Sequence, residues 1–191
     1  MAQRWRESFF EVVRTREAAG VLKEAAVTEQ LADWTTALTS AVVDACRKLG
    51  WIASAKAHRL EMLPVRRSEY LGLDIVAFPG AAKRWRFPAG IVELENQADD
   101  RFIEYSLWKL MCVRADLRIL FCYRRNRRDA AALIRHLRDE VVGAMDLSGR
   151  LRLEGHTVVV VGCWDEAATF PYGFFKWWCL DTNTGLFEQV M

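Results

Sequence analysis

No pair of cysteines or histidines in this chain has the spacing of a zinc site. The five cysteines, Cys46, Cys112, Cys122, Cys163 and Cys179, are odd in number and scattered. That pattern excludes the Cys-X-X-Cys zinc frameworks and offers no disulfide scaffold. A reduced intracellular compartment is the simplest reading, with most of these thiols acting as small hydrophobes in apolar segments. The histidines, His58, His136 and His156, have no mutual spacing that suggests a ligand set. A membrane span is missing too, because no stretch approaches the roughly 20 apolar residues it needs. Residues 1–17 are charged and amphipathic, without an apolar signal region or a small-residue cleavage site, so the expectation is a soluble, cytoplasmic chain with no membrane partner. Large net charge is likewise lacking: 27 basic against 25 acidic residues leave +2. The chain is therefore no polycation that coats nucleic acid nonspecifically, and any nucleic-acid surface must be a local patch.

Hydrophobic residues are plentiful, at 52% of 191 residues, enough for one domain with a sizeable core. Trp5, Phe9, Val12 and Val13 recur at helical spacing over residues 4–16, predicting a short appended helix that ends near Ala18, Ala19 and Gly20. Thr28 is placed to cap a long helix whose apolar stripe runs through Leu31, Trp34, Leu38, Val42, Ala45, Cys46 and Leu49, with Gly50 as the stop. Three strands are expected next, at 51–59, at 70–78 after the Pro64 break, and at 86–95 after Pro79-Gly80, in an antiparallel meander. A helix over 99–113, with Phe102, Ile103, Leu107, Leu110 and Met111 on one side, leads into a strand at 117–123. Another helix over 129–145 leads into a strand at 157–163. Strand, crossover helix and strand imply parallel pairing. An aromatic segment, 172–190, closes the chain around a turn at 181–185. The expected division is a helical extension at 1–27, a core at 28–165 and a C-terminal β extension at 166–191.

Two of these strands contain acids. Asp74 interrupts the apolar run 73–78, and Glu93 and Glu95 lie two residues apart in Gly90-Ile91-Val92-Glu93-Leu94-Glu95-Asn96. An unpaired ionised carboxylate in a buried strand costs several kcal/mol or shifts its pKa until it is neutral. Strand alternation points Glu93 and Glu95 to one side and Val92 and Leu94 to the other. If the Asp74 strand pairs antiparallel with the Glu93 strand, all three carboxylates can reach one hard divalent cation. The competing reading is an ion network in which these acids pair with Arg67, Arg86 or Lys109.

An Asp on the second strand and Glu-X-Glu on the third, after a helix and before a helix and strand, resembles the PD-(D/E)XK restriction-endonuclease-like superfamily over residues 28–163. The resemblance implies an α/β fold with a three-layer α-β-α core around a mixed sheet, in the order αβββαβ. It implies that Asp74 and Glu93 hold Mg²⁺ or Mn²⁺ in a nuclease acting on DNA or RNA. Glu95 stands where the superfamily usually has Lys, which orients and polarises the attacking water, although some restriction enzymes use Glu there. A carboxylate at that place can ligate a second metal or accept the water's proton. Glu93-Leu94-Glu95-Asn96 followed by Trp108-Lys109-Leu110 is also similar to uncharacterised superfamily members.

Other residues have a functional and a plainer reading. Glu29 matches the place where the superfamily often adds another acid to the metal site, and first-turn acids also stabilise helix N-termini. Gln97 and Lys109 can approach a scissile phosphate, Lys109 by reaching back from its helix in place of the missing Lys. Arg124, Arg125, Arg127 and Arg128, together with Arg66, Arg67, Lys83, Arg84 and Arg86, supply guanidinium and ammonium groups for phosphates, or simply solvated loops. Phe174, Phe175, Trp177 and Trp178 are too many rings for one strand face. They either bridge two cores or leave rings exposed for base stacking or a homodimer interface. The alternative function is a nuclease-fold module without catalysis that binds nucleic acid or serves in protein assembly.

Overall fold

The computed structural model describes residues 1–60, 63, 65, 67, 69–80 and 85–190. Its fold is α/β. Seven strands, β1 (Trp51–Ala55), β2 (Ile75–Pro79), β3 (Gly90–Leu94), β4 (Leu117–Arg124), β5 (His156–Cys163), β6 (Phe175–Asp181) and β7 (Leu186–Gln189), form one mixed sheet in which spatial order follows chain order. The first three strands pair antiparallel, β3, β4 and β5 pair parallel, and β5, β6 and β7 return to antiparallel. The parallel pairs are bridged by α4 (Asp100–Met111) and by α5 (Arg127–Leu137), which continues through a π-helical turn (Arg138–Val142). A short α6 (Leu147–Leu151) follows. A parallel strand covered by helices on both faces should be apolar at successive positions rather than alternating. β4 is so over residues 119–123, and seven of its eight residues are buried, the charged Arg118 among them.

Helices cover both faces of the sheet. α1 (Ala2–Val13), α2 (Arg16–Val27) and α3 (Leu31–Lys48) bury Phe9, Leu22, Trp34 and Leu38 with Val92, Ile119 and Phe121 of the sheet. On the other face, Ile103 and Leu107 of α4 and Leu133 and Leu137 of α5 pack against Ile91, Leu120 and Val159. The aromatic segment bridges these cores: Phe174, Phe175 and Trp177 join the first and Trp178 the second. All four rings are buried, so the segment offers no exposed ring from this group for stacking or for a copy of the chain.

The N-terminal region departs from expectation. The helix expected to end near Gly20 instead breaks after Val13 and restarts, because the Thr15 hydroxyl accepts from the Ala18 amide as an N-cap. Thr28 does not cap α3. Its amide and its hydroxyl both donate to the Glu24 carbonyl, at 2.9 and 2.8 Å, closing α2, a local bond that threonine makes readily. Glu29 then takes a positive φ of 53° and the chain re-enters a helix at Leu31. The first two meander strands are shorter than expected, since Ala57, Leu71 and Gly72 adopt positive φ and take the chain out of extended conformation, and the third spans only Gly90–Leu94. Asp74 consequently lies one residue before β2, not inside it. Phe102, expected on the apolar side of its helix, is exposed.

Candidate active site

The antiparallel register of β2 and β3 pairs Ile75 with Val92 and Val76 with Ile91. One further step places Asp74 opposite Glu93. There the side chains take over the ladder: Asp74 Oδ2 accepts from the Leu94 amide at 2.8 Å, and the Asp74 amide donates to Glu93 Oε1 at 3.3 Å. Glu93 shares its sheet face with Ile91, the face covered by α4. It is one of the few buried charged residues, 5% exposed.

α4 runs back along β3, so two strand positions meet one helical turn. Glu93 Oε2 lies 2.8 Å from Lys109 Nζ, and Glu95 Oε2 accepts from the Ser106 hydroxyl at 3.2 Å. Lys109 also donates to the Gly72 carbonyl at 3.0 Å. The two consecutive positive φ values at Leu71 and Gly72 shape the turn that carries that carbonyl. A leucine in the left-handed region costs about 1–2 kcal/mol, and strain of this kind concentrates at functional sites.

Burial pushes the Glu93 carboxyl up to about 7; the neighbouring Asp74 charge adds to the rise and Lys109 opposes it. Asp74 is also raised, first by burial, against the opposing hydrogen bond from Leu94 and the charge of Lys109. Lys109 therefore offsets only part of the cost of holding two carboxylates together. A divalent cation would relieve the remainder, and carboxylate oxygens are the donors that Mg²⁺ or Mn²⁺ prefers. Three of the four oxygens of Asp74 and Glu93 are already engaged, Glu93 Oε1 by the Asp74 amide, Glu93 Oε2 by Lys109 and Asp74 Oδ2 by the Leu94 amide. Among the described residues, no group of three or more His, Cys, Asp or Glu side chains is arranged to hold a metal.

The other candidates are distributed around this pair. Glu95 faces the same helix as Glu93, as strand alternation requires, but its Oε1 accepts from the Gln97 amide at 2.9 Å while Oε2 is on Ser106. Gln97 itself is exposed. Glu29 is not gathered with the pair; it meets Arg125 at 3.2 Å. Arg125 additionally binds Asp165 at 2.8 Å, and Arg124 is paired with Asp100. Arg127 and Arg128 are exposed in the first turn of α5. The main-chain carbonyl of Arg67 accepts from Ser54, and Arg86 binds the Pro79 carbonyl, at the end of β2 away from Asp74. Arg66, Lys83 and Arg84, like Pro64, lie outside the described residues. Of the ion network considered as the plainer reading, the Glu93–Lys109 pair is present.

Beyond Glu95 the end of β3 opens on a cleft of about 520 Å³ lined by Asn96, Tyr123, Arg124, Arg125, His136 and Trp164. It lies past the C-terminal ends of parallel strands, where α/β sheets commonly bind ligands. Asn96 Nδ2 donates to Thr35 Oγ1 at 2.8 Å, and that hydroxyl donates to the Leu31 carbonyl at 2.7 Å. The amide orientation is thereby fixed, and Asn96 Oδ1 is buried without a partner among the described residues. His136 contacts Glu104 at 2.6 Å, a carboxylate that raises the imidazole pKa.

The sequence did not single out Tyr105, and it marked Trp108 only within Trp108-Lys109-Leu110. Both are exposed on α4 next to Lys109. The available signal was their three-residue spacing on the side opposite the apolar stripe of that helix. Among the described residues, no helix is long and apolar enough to cross a membrane. Compared with protein-family models, curated proteins and solved structures, the chain matches none of them.

Proposed function

We propose that the chain is a metal-dependent nuclease of the restriction-endonuclease-like type, hydrolysing phosphodiester bonds of DNA or RNA at Asp74, Glu93 and Lys109. The observation that carries this reading is the meeting of the buried Glu93 carboxylate with the half-buried Asp74 across one register step, with a lysine Nζ 2.8 Å from Glu93. Two acids and a lysine are the set that the sequence resemblance implies, with the lysine supplied by α4 instead of β3. The order α3, β1, β2, β3, α4, β4, with helices on both faces, supports the corresponding three-layer arrangement.

In this reading Asp74 and Glu93 would hold Mg²⁺ or Mn²⁺, which when bound lowers the pKa of water and offsets phosphate charge. Lys109 presents a cation to the phosphate and holds the Glu93 carboxylate in place. Glu95, on Ser106 and the Gln97 amide, fixes the turn from β3 into α4. Exposed Arg127 and Arg128 position the backbone, giving affinity that falls with salt without reading sequence. A second reading, a nuclease-fold module that binds nucleic acid without cutting it, is favoured by the Glu93–Lys109 ion pair, which partly neutralises the site by itself.

Calorimetric Mn²⁺ titration separates the two. The metal-dependent reading expects binding by the wild type that is lost in Asp74→Asn and in Glu93→Gln and kept in Glu95→Gln. Equal Mn²⁺ binding by the wild type and Asp74→Asn would remove Asp74 from the site.

A further inference from the structure

The solvent side of α4 carries rings where an exposed helix face ordinarily carries charges. The helix buries Ile103, Ser106, Leu107, Leu110 and Met111 against the sheet. From the other side project Phe102, Tyr105 and Trp108, which are 43%, 57% and 55% exposed. Tyr105 and Trp108 stack on each other with ring centroids 5.9 Å apart and planes 29° apart. Lys109 Nζ sits 5.8 Å from the Tyr105 centroid and 2.8 Å from Glu93 Oε2. The ring pair and the carboxylates are thus one lysine side chain apart.

We propose that Tyr105 and Trp108 form a stacking platform for an unpaired nucleobase, making single-stranded nucleic acid the chain's preferred polynucleotide. This rests on the reading of Asp74, Glu93 and Lys109 as a phosphodiester site. Base–aromatic stacking tolerates any sequence because every base has a π face. In a duplex those faces are covered by neighbouring base pairs, whereas an unpaired base can lie on the rings while its own phosphate meets the Lys109 ammonium. The surroundings suit such a ligand. Arg101, Glu104 and Lys109 neighbour the rings along α4, ion-paired with Asp99, His136 and Glu93, and such charged surroundings would oppose an apolar protein surface.

The test is fluorescence anisotropy with a labelled oligo(dT), an oligo(U) of equal length and a blunt duplex, in EDTA to suppress cleavage and at two salt concentrations. The wild type is expected to bind the single strands more tightly than the duplex, and the order of dT and U assigns DNA or RNA as the source of the base. Tyr105→Ala and Trp108→Ala should each weaken single-strand binding about 5- to 140-fold, equally at both salt concentrations, with duplex binding unchanged. Trp108→Phe should recover most of the loss. Because both side chains are exposed, unchanged melting temperatures are expected and exclude unfolding as the cause. Unchanged single-strand affinity in both alanine variants would overturn the proposal. So would an equal loss for the duplex, or a wild-type dimer that Trp108→Ala dissociates without altering oligonucleotide binding. A wild type that binds single strands through the rings but leaves them uncut when Mg²⁺ replaces EDTA would leave the platform standing and remove the phosphodiester reading.

Discussion

Glu93 is the residue on which the chemistry and the stability of the chain meet. Its carboxyl, pushed up to about 7 by burial and by Asp74, holds a proton more tightly in the folded chain than in the unfolded one. Its contribution to stability is therefore complete below the ordinary carboxylate range and is lost as pH rises through 7. Asp74 is shifted in the same direction. Without metal, the melting temperature of the wild type should fall between pH 5.5 and pH 8, and Glu93→Gln should flatten that fall. Identical pH dependence in the two proteins would contradict the assigned cause. The charge imbalance of this pair was legible in the sequence as acids inside apolar runs. Its partner was legible only as one of several basic residues, because the two-residue spacing on β3 meeting the turn between Ser106 and Lys109 is a tertiary coincidence.

At the scale of elements, the sheet is held together by close approaches that only the assembled strands reveal. Gly162 on β5 pairs with Tyr123 on β4, and a Cβ there would lie 2.6 Å from the Tyr123 ring and 2.7 Å from the Phe174 ring. Neither ring can easily give way, since Tyr123 Oη accepts from Trp34 Nε1 at 2.6 Å and Phe174 packs 5.1 Å from Trp34. Gly162→Ala should therefore cost about 1–3 kcal/mol. In thermal denaturation that corresponds to about 2–4 °C for each kcal/mol in a chain of this size; an unchanged melting temperature would mean that the rings move freely. Helix and strand order was readable from periodicity, since long apolar stripes such as that of α3 dominate local sequence. Boundaries were less readable where a side chain chose between two local bonds. Thr28 bonding back to Glu24 instead of capping α3 is one case, and Leu71 entering a positive φ before Asp74 is another.

For the whole molecule, a nearly balanced charge of +2 limits any nucleic-acid contact to a local patch, and the one proposed comprises the first turn of α5, the ring pair on α4 and Lys109. The aromatic C-terminal segment, which the sequence left open between core and interface, fills both cores. Exposed rings lie elsewhere, among them Tyr105 and Trp108 of α4 beside Lys109. The most direct measurement is cleavage of a mixed panel of duplex, single-stranded and branched DNA and of RNA with Mg²⁺ or Mn²⁺, comparing the wild type with identically prepared Asp74→Asn. The account predicts metal-dependent cleavage by the wild type that disappears in the variant. Equal cleavage by the two proteins, or salt-dependent binding with no cleavage by either, would contradict it.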